Sequence, residues 1–139
     1  MQVLKYMIWP RMLRINASTH QVMHGNMPIL GYIFREQTNT HQPSPNTQSI
    51  AYITDMKSIE DSEYEYLHDI DTLVINALRF EKPHHSHQLV DDAIAVSRRI
   101  GAKRTYLIHL THDIGTHEIA NSRLPEGFEF AYDGQIIEC

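Results

Sequence analysis

The nine residues from Thr105 to Asp113 constrain the fold of this chain more than any other stretch. They contain the apolar run Tyr106-Leu-Ile-His-Leu110, which predicts a strand buried on both faces of a sheet that other layers cover. His109 lies inside that run, and a buried imidazole needs a hydrogen-bond partner or a metal ion. A structural histidine with a hydrogen-bond partner is the commoner case, so the choice between the two readings depends on the rest of the chain.

The residues before this stretch predict a strand, a helix and a second strand in succession. Thr72–Ala77 is mostly apolar or β-branched, as in a buried strand. A helix is expected from about His87 to Ile100, with Ser86 as its N-cap and Gly101 ending it in the left-handed conformation. Its apolar positions recur at helical spacing, at Leu89, Ala93, Val96 and Ile100. Such a crossover predicts that strands 72–77 and 105–110 are parallel neighbours.

Shorter patterns predict the remaining elements. We expect strands near residues 13–15 and over 19–25, 27–34 and 50–55, whereas residues 1–12 show no clear period. Residues 35–49 are polar, include two prolines and predict a loop insertion. A short helix is expected over 58–68, and a second one that Asp113 caps over 113–122. Asp133-Gly134 predicts a hairpin turn between strands at 127–132 and 135–138.

Four ionisable residues that are far apart in sequence fall at predicted strand ends. His24 follows one strand, Asp55 ends another, His87 lies in the loop after a third, and His109 lies near the end of the last. Sites in layered α/β proteins form where loops converge at strand ends. The sequence therefore predicts a metal site with histidine and carboxylate ligands, a mixture that zinc accepts.

Bulk properties limit the class of protein. The chain has 139 residues, the size of one domain, and a net charge of −5 with histidine neutral. This charge disfavours a nucleic-acid-coating role, and no apolar run is long enough to span a membrane. One cysteine excludes an intrachain disulfide framework, and a cytoplasmic location is the default expectation.

The motifs that contain these residues resemble the C-terminal half of a metallo-β-lactamase-fold hydrolase. They are Val22-Met-His24-Gly25, Tyr52-Ile-Thr-Asp55, His85-Ser-His87 and Tyr106-Leu-Ile-His109-Leu-Thr-His112-Asp113, in that order. The resemblance covers about residues 13–139 and is greatest to the phosphodiesterases that include phosphoribosyl cyclic phosphodiesterase. It implies an α/β fold that is half of an αββα sandwich, a mixed β-sheet with helices on one face.

The resemblance also implies roles for particular residues. His24 and His109 would each be a terminal ligand of one metal ion, and Asp55 would bridge the two ions. His87 would be the catalytic residue, as a general acid or a group that stabilises phosphate charge. His112 and Asp113 would support the ligands from outside. The implied cofactor is Zn²⁺, two ions per complete site, with Mn²⁺ as an alternative, and the implied substrate is a small phosphorylated molecule.

One departure from the family bears on activity. The family's N-terminal half carries a His-x-His-x-Asp-His signature, and this chain has no such motif. The chain is therefore expected to be a single partial domain over 1–139 that binds zinc weakly alone, completed by an N-terminal half or by a second copy. Three functions stay open: phosphodiester hydrolysis by a metal-activated water, a non-catalytic remnant or assembly module, and hydrolysis of another ester or a lactam.

Overall fold

The computed structural model describes residues 6–8, 14–37 and 48–138. Two short 3₁₀ turns, Asp61–Tyr66 and His112–Ile114, accompany its helices and strands. No helix among the described residues is long and apolar enough to cross a membrane. In chain order the elements are β1 (Tyr6–Ile8), β2 (Arg14–His24), β3 (Met27–Gln37), β4 (Ser49–Ile53), β5 (Thr72–Asn76), α1 (Val90–Ile100), β6 (Arg104–Ile108), α2 (His117–Asn121), β7 (Phe128–Phe130) and β8 (Ile136–Glu138).

Six strands form one mixed sheet in the order β2-β3-β4-β5-β6-β7. β2, β3 and β4 pair antiparallel, and β4, β5, β6 and β7 pair parallel. The predicted parallel pair of β5 and β6, joined by a helix, is confirmed, and Gly101 ends α1 at φ 75° as expected. β1 and β8 form a separate parallel pair. The mixed α/β architecture predicted from the sequence is thus present.

The two faces of the six-stranded sheet differ in what covers them. One face carries the main core, in which Ile53, Leu73 and Leu107 from the strands pack with Val90 and Ala93 of α1. Because successive strand residues point to opposite faces, the neighbouring residues face the other side. There a smaller cluster forms, which consists of Ile50, Val74, Ile108, Ala131 and Ile137 with Tyr52 and Tyr106 against it.

The predicted C-terminal hairpin is wrong. β7 pairs parallel with β6, and β8 pairs parallel with β1, so the two strands lie in different sheets. The chain does turn at Asp133-Gly134, where Gly134 has φ 89° and the N–H of Gln135 donates to the carbonyl of Tyr132 at 3.1 Å. A local turn signal cannot report that a distant strand offers a better edge for pairing.

Several predicted boundaries also need correction. The expected helix over 58–68 is a 3₁₀ turn over Asp61–Tyr66. α1 begins at Val90 and not at His87, and its N-cap is Leu89 instead of Ser86; the N–H of Leu89 donates to the Asp92 carboxylate at 3.0 Å. The predicted loop 35–49 is too long, because β3 continues to Gln37 and β4 begins at Ser49. Its central residues, 38–47, lie outside the described residues, as does most of the unassigned segment 1–12.

Candidate metal centre

The four predicted site residues lie at the same edge of the sheet. β4, β5 and β6 are parallel, and β2 runs in the same direction because two antiparallel pairings separate it from β4. His24 is the last residue of β2, and Asp55 follows β4. His87 lies in the loop after β5, and His109 directly follows β6. The topology therefore brings together residues that are up to 85 positions apart in sequence.

Asp55, His87 and His109 form a three-residue cluster whose potential ligand atoms all lie within 4.8 Å of one another. Oδ1 of Asp55 is 3.0 Å from Nδ1 of His109 and 3.8 Å from Nε2 of His87. The rings of His87 and His109 are stacked with their centroids 4.7 Å apart. One carboxylate and two imidazoles thus converge on a small volume at the sheet edge.

The position of His109 differs from the predicted one. β6 ends at Ile108, so His109 is not a buried strand residue; its side chain is 41% exposed and its φ is 61°. Two backbone hydrogen bonds hold this turn, from Ala77 N to Ile108 O at 2.9 Å and from Thr111 N to Leu78 O at 3.0 Å. The left-handed conformation of His109 turns the chain out of the strand. Ala77 and Leu78, which follow β5, hold the chain on both sides of this turn.

Asp55 has the same unusual backbone, with φ 61°. Left-handed backbone is uncommon outside glycine and persists where surrounding contacts enforce it, often at functional sites. The buried amide of Asn76 supplies such contacts, since it accepts from Met56 N and donates to Met56 O, both at 2.8 Å. On the other side, Met23 O accepts from Lys57 N at 2.6 Å. The Asp55 turn is therefore clamped between the ends of β2 and β5.

His24 contacts the cluster from the side of β2. Its Nδ1 lies 2.6 Å from the carbonyl oxygen of Asp55, to which it must donate because a carbonyl only accepts. The neutral ring then has a bare Nε2. Its ring also packs edge-on against that of His87, with centroids 4.7 Å apart. A histidine whose second nitrogen donates to a carbonyl is the usual arrangement for a metal ligand.

The surroundings of His87 favour its neutral form. Burial, followed by the nearby imidazoles of His109 and His24, lowers the pKa of His87 from its ordinary value to about 4, against an opposing effect of Asp55. At neutral pH this imidazole can accept a proton or bind a cation. A general acid must begin protonated, so the role predicted for His87 would need a substrate anion to raise its pKa.

The residues of the cluster fit a metal ion. Oδ1 of Asp55 is buried and has no hydrogen bond among the described residues, although Nδ1 of His109 is only 3.0 Å away. A buried acceptor without a donor is costly in a metal-free protein and is what a cation would satisfy. The Asp55 side chain as a whole is 46% exposed, so it is reachable from solvent. Carboxylate oxygen and imidazole nitrogen are both ordinary zinc ligands.

The two residues predicted to support the ligands lie beside the cluster and not in it. His112 has a side chain that is 96% exposed. The Asp113 carboxylate pairs with Arg79 at 3.3 Å and with Lys82 at 3.4 Å, and the hydrogen bond from Lys82 lowers the pKa of Asp113. Asp113 lies inside a 3₁₀ turn and caps no helix, contrary to expectation. Supporting roles for both residues remain predictions.

Sequence reasoning missed two residues that shape the site. Asn76, at the end of β5, positions the Asp55 turn. A polar residue at the end of an otherwise apolar strand is the sequence feature that could have identified it. His84 was not among the predicted site residues, but its ring lies against that of His87 with centroids 4.9 Å apart. The His-His-Ser-His run at 84–87 was the signal for it.

A sequence comparison decides the family to which this fold and cluster belong. Residues 11–110 match the profile of the β-lactamase superfamily domain. The chain belongs to this family. The matched range includes His24, Asp55, His87 and His109 and ends before His112. The predicted resemblance to metallo-β-lactamase-fold proteins is confirmed, and the fold implies bound metal ions.

Solved structures agree with this assignment. A diphosphatase of the PhnP family superposes with a TM-score of 0.72 at 35% identity, over 87% of this chain and 42% of that protein. Human tRNase Z, short form, gives a TM-score of 0.65 at 14% identity, over 94% of this chain and 45% of that one. The second likeness shows the fold alone.

A curated relative is similar over a comparable part of the chain. An octanoyltransferase from Porphyromonas gingivalis is 38% identical over 114 residues, which is 82% of this chain and 20% of that protein. The chain thus spans about a fifth of this relative and less than half of the two solved structures.

Proposed function

We propose that this chain carries one side of a metal centre that hydrolyses phosphodiesters in small phosphorylated molecules. The buried, unbonded Oδ1 of Asp55 between the nitrogens of His87 and His109 is the observation that carries the proposal. The 35% identity to a PhnP-family diphosphatase supports phosphoryl chemistry over hydrolysis of lactams or other esters. An adjacent Lys57, which donates to the carbonyl of His87 at 3.2 Å, adds positive charge for an anionic substrate.

In this proposal Asp55, His109 and His24 hold metal, with His87 as a further ligand or as the group that meets the substrate. Zinc or manganese, when bound, would supply positive charge that activates water and stabilises charge on phosphorus. Asp55 fixes the spacing of the donors through its clamped backbone. His24 presents Nε2 because its Nδ1 donates to the Asp55 carbonyl. His87 meets the phosphate or exchanges a proton with it at Nε2.

The donors that the described residues bring together are too few for a complete two-metal centre. Zinc sites have three or four protein ligands each, whereas the cluster offers three donors and His24 a fourth. We propose that a complementary polypeptide segment supplies the others and docks on the exposed part of the sheet face opposite α1. Tyr32, Tyr52, Val74 and Tyr106 align across four strands of that face. Val74 is buried in the smaller cluster, whereas Leu30 and Tyr32 of β3 are 53% and 42% exposed.

Cleavage of bis-p-nitrophenyl phosphate tests the activity. The chain, dialysed against EDTA and then supplied with Zn²⁺ or Mn²⁺, should release nitrophenol slowly and only with metal. His109→Ala should abolish this release, whereas His68→Ala, at a 69% exposed side chain outside the cluster, should leave it unchanged. Equal rates in the two variants, or a rate that ignores EDTA, would overturn the proposal.

The dependence of rate on protein concentration identifies what completes the site. A second copy as the complementary partner would make the rate per chain rise with chain concentration, together with a dimer in size-exclusion chromatography. A rate per chain that stays constant and a monomeric elution would assign the missing donors to another segment. A dimer without any metal-dependent cleavage would favour the assembly-module alternative.

A further inference from the structure

The ring of His84 makes a hydrogen-bond network with His87 for which the proposed mechanism has no use. Nδ1 of His84 lies 3.1 Å from Nδ1 of His87. Ser86 contacts both rings: its backbone N–H donates to Nδ1 of His84 at 3.3 Å, and its hydroxyl is 3.2 Å from each Nδ1. The network lies on the side of His87 that faces away from Asp55, since Nε2 of His87 is the atom near that carboxylate.

The chemistry of these groups fixes where the protons are. A backbone N–H can only donate, so Nδ1 of His84 must accept, and a neutral His84 carries its proton on Nε2. If Nδ1 of His87 were also bare, two lone pairs would face each other at 3.1 Å. The arrangement without this repulsion has the proton on Nδ1 of His87, donated toward His84. In the neutral ring Nε2 of His87 is then bare.

We propose that His84 is a positioning residue that holds His87 in the Nδ1-protonated tautomer and so directs the lone pair of Nε2 at the three-residue cluster. The use of that lone pair, for a metal ion or a proton, rests on the proposed function, but the tautomer does not. Partners that orient a metal-site histidine through its second nitrogen are worth about 10- to 100-fold in affinity or activity. The same tautomer makes neutral His87 an acceptor at the cluster.

Ring ¹⁵N NMR of the metal-free protein at pH 8 reads the tautomer directly. In the wild type, Nδ1 of His87 should carry the proton and Nε2 should be bare. His84→Phe keeps a ring but removes the acceptor, so His87 should become a mixture of both tautomers. His84→Asn restores an acceptor oxygen and should restore the wild-type pattern. An unchanged His87 tautomer in His84→Phe would overturn the proposal.

His85 provides the matched control. Its ring lies 4.4 Å from that of His84 by centroids, yet it makes no hydrogen bond to His87, so His85→Phe should leave the tautomer of His87 unchanged. A change in the His87 tautomer that is as large in His85→Phe as in His84→Phe would indicate a general packing effect and overturn the role assigned to His84.

Kinetics of the metal-loaded protein separate this inference from the proposed function. His84→Phe should lower kcat about tenfold with little change in KM, and His84→Asn should recover most of the loss. If the tautomer responds as expected and no phosphodiester is cleaved by any variant, the proposed function fails and the positioning role stands. If wild type cleaves and His84→Phe cleaves equally fast with its tautomer unchanged, the positioning role fails alone.

Discussion

Replacing Asp55 by Asn should have opposite effects on stability without and with metal. In the metal-free protein at pH 8, Oδ1 of Asp55 is buried without a hydrogen bond, and a buried unsatisfied acceptor costs about 1–3 kcal/mol. An asparagine amide can donate to the bare nitrogen of a neighbouring neutral histidine. It also tolerates the left-handed backbone at φ 61°. We expect Asp55→Asn to be about 1 kcal/mol more stable than wild type when metal is absent.

Metal should reverse that order. A ligand at about 100 times its Kd stabilises the folded state by about 2.7 kcal/mol. Wild type should gain this amount from zinc, whereas Asp55→Asn, which has lost the carboxylate of the cluster, should gain much less. The variant that is more stable in EDTA should therefore be the less stable one in zinc. Urea unfolding followed by circular dichroism, in EDTA and in excess zinc, measures both values.

Asp69→Asn is the matched control. Asp69 also has a left-handed backbone, at φ 55°, but its side chain is 89% exposed and pairs only with His68 among the described residues. Asp69→Asn should change the free energy of unfolding by less than about 0.5 kcal/mol, both in EDTA and in excess zinc. A metal-free Asp55→Asn destabilised by more than about 1 kcal/mol, or one that gains as much from zinc as wild type does, would refute this reasoning.

Three further predictions concern the chain without metal and use urea unfolding. Between pH 6.5 and about 4, His87 is protonated in the unfolded state but not in the folded state, so acidification destabilises the fold. His87→Gln should remove about 1–2 kcal/mol of this pH dependence after allowance for solvent screening. The same dependence of unfolding free energy on pH in wild type and variant would contradict this prediction. Asn76→Ala should cost about 2–4 kcal/mol because both hydrogen bonds to the buried backbone of Met56 are lost, and a change below about 1 kcal/mol would argue against the clamp. Leu73→Ala, at a fully buried core position, should lower the free energy of unfolding by about 2–5 kcal/mol. Ile119→Ala, at a 64% exposed position, should lower it by less than about 0.5 kcal/mol. Similar losses at the two positions would contradict the assigned core.

The parallel half of the sheet could be predicted because each step depends on local pattern. Thr72–Ile75 is apolar or β-branched at every position, α1 has its apolar residues at helical spacing, and Gly101 supplies the left-handed end. A right-handed crossover then leaves one arrangement for the two strands. The placement of His24, Asp55, His87 and His109 at one sheet edge follows from the same topology.

The errors occurred where long-range contacts override local pattern. Asp133-Gly134 has the residues of a hairpin turn, but the flanking strands pair with β6 and β1. The apolar run around His109 gave no sign that β6 stops at Ile108, because the turn is enforced by hydrogen bonds to residues that lie some 30 positions earlier. The contact between His84 and His87 depends on the fold of an irregular loop, which has no periodicity to report it.

Calorimetric titration of zinc into the metal-free chain tests the central claim, that Asp55, His87 and His109 form one side of a metal centre. Wild type should bind zinc weakly, His109→Ala should lose at least tenfold in affinity, and His68→Ala, at an exposed position outside the cluster, should bind as wild type does. Equal affinity in wild type and His109→Ala would contradict the cluster as a metal site. Tight binding of two zinc ions by the isolated chain would contradict the claim that further ligands are needed.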